Sequence, residues 1–288
     1  MIIRSSLLAL ALFASAGGAQ DIPVFSGRIA DGAWLRIRNY KGDIRVTETS
    51  GSTVTVNARR RFGREDDDTK FEVKRDGQNV TICAITERTR RCDEEGYDSR
   101  GGDDRNVGRS DFTVSLPRGI RLLASTGNGE VDVRNAGADV RASSGNGEVN
   151  VSGARGRVQA SSGNGAVSVD RAEGDVEASS GNGSIRVNTA KGPVSASSGN
   201  GSIDVTMATL TAPGDMEFST GNGSITVAFP PNLSARIEAN GSYRNFETDF
   251  PINMGSGFSG NRVRGTIGSG ARSIRMTTGN GQIRLRKL

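Results

Sequence analysis

The sequence predicts an all-β protein: a single elongated β-solenoid, right-handed and β-helix-like, with about 18 residues and two short strands per coil. Three observations predict it. A Ser/Thr-Gly-Asn-Gly motif places its first glycine at Gly127, Gly145, Gly163, Gly181 and Gly199, at one constant interval, and returns at Gly221 and Gly279 after longer intervals. A fixed period of roughly 20 residues marks units stacked one on the next. Within that period a glycine recurs at every ninth position, at Gly147, Gly156, Gly165, Gly174, Gly183, Gly192 and Gly201, each followed by alternating apolar and polar residues. Alternation at two residues sends neighbouring side chains to opposite faces of a strand. Helices are disfavoured, because Gly and β-branched residues dominate and apolar positions never recur at three and four.

Each half of the repeat is therefore a strand plus a tight turn. The pairs Val149/Val151, Val158/Ala160, Val167/Val169, Val176/Ala178, Ile185/Val187, Val194/Ala196 and Ile203/Val205 are expected in the core. The residues between them, Asn150, Gln159, Ser168, Glu177, Arg186, Ser195 and Asp204, are expected to face water. The motif glycines are expected at turn positions with φ > 0. Asn128, Asn146, Asn164, Asn182 and Asn200, with Asn222 and Asn280 in the later motifs, then stack in register. The expectation is a ladder of buried or half-buried amides, each bonding the next. The functional alternative is a row of amides that binds a polymer.

Residues 1–19 read as a secretory signal peptide, with Arg4 ahead of the apolar Leu7–Phe13 stretch and small residues around Ala16 and Ala19. No later segment stays apolar over the roughly 18 residues that a membrane-crossing helix needs, so no transmembrane helix is expected. Hydrophobic content is 34%, which alone would suggest disorder. The strict period overrules that, because a narrow solenoid needs only Val, Ile and Ala inside. The charge is +5 for the whole chain, with both signs interspersed, and predicts no nucleic-acid partner.

Residues 20–111 predict irregular N-terminal coils and a cap, with strand alternation at Trp34–Arg38, Asp43–Val46, Thr53–Val56, Phe71–Lys74 and Val80–Ile85. Trp34 is expected as a cap or core plug, with a sugar platform as the alternative. The charge blocks Arg59–Arg64 and Glu65–Asp68 read as a solvated loop. Cys83 and Cys92 are expected to form a disulfide, since two thiolates in a chain without histidine make a poor zinc site. Residues 86–109 form a long charged insertion. Its acids Asp93, Glu94, Glu95, Asp98, Asp103 and Asp104 mark a candidate interaction loop, but their spacing fits no calcium loop.

Residues 112–288 predict the regular repeats and a C-terminal cap. The closing strand carries Arg284, Arg286 and Lys287, charges that suit the exposed edge of a terminal strand or a surface-binding patch.

Catalytic constellations are missing. Without histidine there is no Ser-His-Asp or Cys-His site, and no Walker loop or Ser-x-x-Lys motif occurs. Outward carboxylates such as Glu148, Asp175, Glu177 and Asp204 are scattered, so a polysaccharide-cleaving pair is not predicted. No enzyme, cofactor or metal site is expected.

The chain resembles a bacterial putative-adhesin domain family of exported β-repeat proteins. The resemblance rests on Leu35–Asn39 with Gly42–Val46, Phe112–Pro117, the Ser-Gly-Asn-Gly-x-Ile-x-Val repeats, Asn240-Gly241 with Asp249–Pro251, and Thr278–Ile283. It covers nearly all of the chain after the signal peptide, and it implies a β-solenoid with an extracytoplasmic role. The expected function is a non-enzymatic, adhesin-like surface or envelope interaction module in the periplasm, at the cell surface or secreted. Its partner would be a surface or envelope component, polysaccharide or protein, met through serine ladders such as Ser143, Ser161, Ser179 and Ser197. The alternatives are a ligand-free periplasmic structural or envelope-stress protein and a polysaccharide-active enzyme.

Overall fold

The computed structural model describes residues 21–61, 69–100, 107–189, 191–241, 245–254, 258–259 and 261–288. The expected signal peptide, most of the 59–68 charge block, and Asp103 and Asp104 of the insertion lie outside them. Among the described residues the long regular elements are all strands. The N-terminal part holds β1 (Asp21–Gly27), β2 (Trp34–Lys41), β3 (Ile44–Thr49), β4 (Val54–Arg61), β5 (Lys70–Asp76), β6 (Asn79–Ile85), β7 (Thr89–Cys92), β8 (Tyr97–Ser99) and β9 (Arg109–Pro117). The repeats supply β10 (Arg121–Asn128), β11 (Val131–Arg134), β12 (Val140–Asn146), β13 (Val149–Ser152), β14 (Val158–Asn164), β15 (Val167–Ala172), β16 (Val176–Asn182), β17 (Ile185–Thr189), β18 (Val194–Asn200), β19 (Ile203–Met207), β20 (Met216–Asn222) and β21 (Ile225–Phe229). The C-terminal part adds β22 (Ala235–Asn240), β23 (Phe246–Thr248), β24 (Phe258–Ser259), β25 (Arg262–Ile267), β26 (Ser273–Asn280) and β27 (Ile283–Lys287).

The repeats build the solenoid expected from the period. Even-numbered strands β10 to β20 stack in parallel in a 13-stranded sheet, and odd-numbered β11 to β21 stack in a facing 12-stranded sheet. Register is constant: Val140 pairs with Val158, Ala142 with Ala160, Ser144 with Ser162 and Asn146 with Asn164. Each regular coil buries four small side chains between the sheets, such as Val149, Val151, Val158 and Ala160, all at 2% exposure or less. Full burial of a valine stabilises by roughly 1.5–3 kcal/mol, so a core one side chain deep suffices.

The order of stacking differs from the order of the chain at both ends. The coil formed by β2 and β3 is regular and pairs in parallel with β10 and β11. On its far side lie β6 and β9, followed by the antiparallel strands β5, β4 and β1. Likewise β26 and β27, last in sequence, stack directly on β20 and β21, and the intervening β22–β25 close the stack beyond them. Antiparallel strands therefore end the 13-stranded sheet on both sides and the 12-stranded sheet on its N-terminal side, while the short parallel strand β23 ends the other side. The basic last strand is consequently not an edge. β23 pairs with β27, where Glu247 reaches Arg284 at 3.3 Å and Arg286 at 2.8 Å, and Asp249 reaches Arg286 at 3.1 Å.

Candidate functional site

The Ser/Thr-Gly-Asn-Gly motif forms one corner of each coil from β10–β11 to β20–β21 and of the β26–β27 coil, and each of its residues has a separate task. In Ala142-Ser143-Ser144-Gly145-Asn146-Gly147 the alternation points Ala142 and Ser144 inward and Ser143 and Gly145 outward. The inward hydroxyls cross between coils. Ser144, Ser162, Ser180 and Ser198 donate to the carbonyl oxygens of Gly129, Gly147, Gly165 and Gly183 at 2.8–2.9 Å. Thr126, Thr220 and Thr278 do the same for Gly42, Gly201 and Gly223. This inner row was not anticipated from the sequence, although the second serine of each Ser-Ser pair falls on the inward phase of the two-residue period.

The glycines answer to contact between coils more than to backbone conformation. Of the second motif glycines, Gly129, Gly147 and Gly223 keep φ between +153° and +158°, but Gly165, Gly183 and Gly201 do not fall in the left-handed region. What they share is proximity. A Cβ on Gly147, Gly165, Gly183 or Gly201 would come within 2.1–2.2 Å of the carbonyl oxygen of the equivalent glycine one coil below. A Cβ on Gly145, Gly163, Gly181 or Gly199 would come within 2.5 Å of one. The expectation of φ > 0 throughout is thus corrected to a steric requirement.

The asparagines form the continuous ladder that their spacing suggests. Asn146, Asn164, Asn182, Asn200, Asn222 and Asn280 each donate from Nδ2 to Oδ1 of the amide below, ending on Asn128, at 2.7–2.8 Å. The ladder is exposed rather than buried; only Asn128 is half-covered. Beside it run the side-chain-free glycines Gly127, Gly145, Gly163, Gly181, Gly199, Gly221 and Gly279. Next comes the outward hydroxyl row Ser125, Ser143, Ser161, Ser179, Ser197, Ser219 and Thr277, paired strand to strand in register. The result is a track with an amide wall, a bare backbone floor and a hydroxyl wall. Its six steps from Asn128 to Asn280 span roughly 29 Å at the strand spacing. At its upper end the track opens into a groove of about 740 Å³ lined by Asn240, Gly241, Arg262, Thr277 and Gly279. Its lower end is Lys41, which pairs with Asn128 in register and donates to the Val107 carbonyl at 3.3 Å.

Residues 89–99 of the charged insertion form a hairpin. β7 and β8 pair antiparallel, and the Cys83–Cys92 disulfide, with an S–S distance of 1.99 Å, ties the hairpin to β6. Tyr97 Oη donates to the Ala84 carbonyl at 3.0 Å, and its ring stacks near Tyr40 at 6.4 Å. Burial is the largest influence on the Tyr97 phenol and pushes its pKa up. The described acids do not converge. Asp93 accepts from the Glu95 and Gly96 N–H groups at 3.0 Å and closes the turn, Glu95 pairs with Arg91 at 2.9 Å, and Asp98 is exposed. The Glu94 carbonyl accepts from Arg38 Nη2 at 3.1 Å, and burial lowers the pKa of that guanidinium. Trp34 is neither cap nor core plug. It lies half-buried on the outer face of the 13-stranded sheet, because the inward position of that strand belongs to Leu35. Among the described residues no group of three or more metal-ligating side chains converges.

Comparison with known proteins gives the chain a family. No curated protein matches it. The solved structures that resemble it include a putative cell adhesion protein from Clostridium sporogenes and a putative adhesin from Bacteroides fragilis. The first is 10% identical over 94% of this chain and 100% of that one, with a TM-score of 0.31. The second is 11% identical over 93% and 97%, with a TM-score of 0.34. At those scores neither likeness carries an argument about this chain. The Toastrack DUF4097 family model, by contrast, matches residues 33–286, from the start of β2 to the last strand of the chain, and the chain therefore belongs to the Toastrack DUF4097 family.

Proposed function

We propose that the protein is a non-enzymatic, exported interaction module of adhesin type, which holds an extended polymer of the cell surface or envelope along the Ser-Gly-Asn track. The observation that carries this reading is the exposed amide ladder in constant register. An asparagine amide has two N–H donors and an oxygen with two lone pairs. The ladder uses one donor and one lone pair of each inner rung, and so leaves the other donor and lone pair pointing to solvent in a fixed array. The bare glycine floor lets a ligand approach the backbone. Because inter-coil bonds already hold every amide, binding would require little ordering of side chains. Repetition over several coils turns weak polar contacts into useful affinity. The disulfide supports an oxidising compartment outside the cytoplasm.

A structural envelope role without a ligand is the competing reading, and the same ladder favours it, since the rungs satisfy one another. Binding of the full chain to immobilised envelope polysaccharides separates the two. Wild type is expected to bind, and N164A/N182A/N200A, which removes three central rungs, is expected to bind at least tenfold more weakly while remaining folded by circular dichroism. Unchanged binding by the triple variant, or no binding by wild type, would return the ladder to a purely structural role.

A further inference from the structure

Next to the lower end of the track, the outer face of the 13-stranded sheet becomes strongly cationic. β2, β10 and β12 lie side by side there, with Trp34 beside Arg121, and Leu123 between Arg36 and Arg141. The Arg121 and Arg141 guanidinium carbons each lie 4.9 Å from the Trp34 ring centroid. Arg38, the next outward residue on β2, is buried beneath the β7–β8 hairpin. Like charges gathered this closely repel, and cation–π contact at a half-exposed site returns only about 0.5–1 kcal/mol each. Among the described residues no carboxylate lies within ion-pair distance of Arg36, Arg121 or Arg141. Further along that row the first acid is Glu177, already held by Gln159 at 2.9 Å and Arg157 at 3.4 Å. Arg36 Nη1 is buried and has no hydrogen-bond partner.

We propose that this patch binds the carboxylate groups of an acidic polysaccharide whose chain continues along the Ser-Gly-Asn track, an inference that rests on the track being a binding surface. The guanidiniums on Trp34 are held in place as preorganised planar donors, which suits carboxylate. Leu123 offers an apolar floor for the C–H face of a sugar ring, and Ser125 and Ser143 offer hydroxyl partners one step along the strands. Stacking of nucleic-acid bases would need a free aromatic face, and Trp34 is taken by arginine. A lipid surface would need exposed large apolar side chains. Val73, Met254 and Leu288 are the ones among the described residues, and none lies on these three strands.

The test compares polygalacturonate with its fully methyl-esterified, uncharged form, binding each to the full chain at low and high salt. Wild type is expected to bind the acid at least tenfold more tightly than the ester, with the difference shrinking as salt screens it. R121Q/R141Q is expected to lose that preference and keep its affinity for the ester. Should the double variant not fold, R141Q alone, at an exposed side chain, is expected to reduce the preference at least threefold. Equal affinity of wild type for both polymers, or a preference unchanged in these variants, overturns the patch. If both polymers are bound equally and N164A/N182A/N200A weakens both, the track reading survives that failure. If the anionic preference persists while the triple variant binds both polymers as wild type does, the track reading fails instead, and with it the proposed path of the chain. Absence of binding to either polymer overturns both.

Discussion

Asn39 Nδ2 donates to the carbonyl oxygen of Ser110 at 2.8 Å, across 71 residues of sequence. The same amide also reaches the Gly42 carbonyl at 3.2 Å. In the stack Asn39 pairs with Thr126 and so holds the inner position that serine or threonine takes in every later coil. A hydroxyl reaches one carbonyl there. The longer amide bridges two, because the neighbour below is β9 arriving from the N-terminal excursion rather than a regular coil. N39A removes both bonds and leaves the carbonyl of Ser110, a residue at 1% exposure, short of its donor. The expected loss is about 2–3 kcal/mol in urea unfolding, with N39S recovering part of it. A loss under about 0.5 kcal/mol would mean that this joint does not hold the N-terminal cap.

Gly163 is solvent-exposed, yet it should tolerate no side chain. A Cβ there would stand 2.5 Å from the Gly145 carbonyl oxygen, a backbone atom fixed by its own coil. G163A is expected to destabilise by roughly 1–3 kcal/mol or more, as overpacking against rigid neighbours does. G51A is the control. Its nearest contact would be the Thr49 hydroxyl at 3.7 Å, and a change within about 0.5 kcal/mol is expected. Equal effects of the two substitutions would show that the coils can slide apart to accept a methyl group.

The Cys83–Cys92 bridge should matter locally. It joins positions nine apart in sequence, and loop-closure arguments give such a bridge about 2.5 kcal/mol. Other anchors remain without it: Tyr97 Oη on the Ala84 carbonyl, Lys74 Nζ on the Cys92 carbonyl at 2.8 Å and Arg38 Nη2 on the Glu94 carbonyl at 3.1 Å. C83A/C92A is therefore expected to keep the solenoid folded while amide exchange rises over β7 and β8. A matching rise across β10 to β21 would show that the hairpin holds the stack as a whole.

The repeats were legible in the sequence because a two-residue alternation within a fixed repeat period leaves one arrangement that buries Val149, Val151, Val158 and Ala160 together. The amide ladder was legible too, since identical residues one period apart must stack. Its exposure was not, because Asn146 sits at a corner, where the two-residue rule no longer assigns a face. The caps were unreadable for a different reason. Stacking order is a long-range property, and nothing local in Trp34–Lys41 says that β10 rather than β4 or β6 follows it in the main stack. The same blindness hid the cationic patch. Arg36, Arg121 and Arg141 are distant in sequence and ordinary singly, and only the register of β2, β10 and β12 brings them together.

Asp43 gives the N-terminal joint a pH dependence. Its carboxylate is mostly buried; Oδ1 accepts the Glu130 N–H at 3.0 Å and pairs with Arg109 at 2.7 Å, and Oδ2 pairs with Arg45 at 2.9 Å. Burial is the largest single influence and raises its pKa. The Glu130 N–H, Arg109 and Arg45 together outweigh it and hold the pKa below the ordinary aspartate value. A carboxyl depressed in the folded state adds stability above its unfolded pKa, near 3.9, and loses it as pH falls through the lower folded value. D43N keeps an oxygen for the Glu130 N–H but removes the charge beside two arginines. The stability difference between wild type and D43N is therefore expected to be full at pH 7 and to shrink steadily below about pH 4. Asp21, Glu238 and Asp249 are shifted in the same direction, so wild type alone would blend several titrations, and the difference between the two proteins isolates this one. A difference that stays constant from pH 7 to about pH 2.5 would show that Asp43 holds the joint through shape and hydrogen bonding and not through its charge.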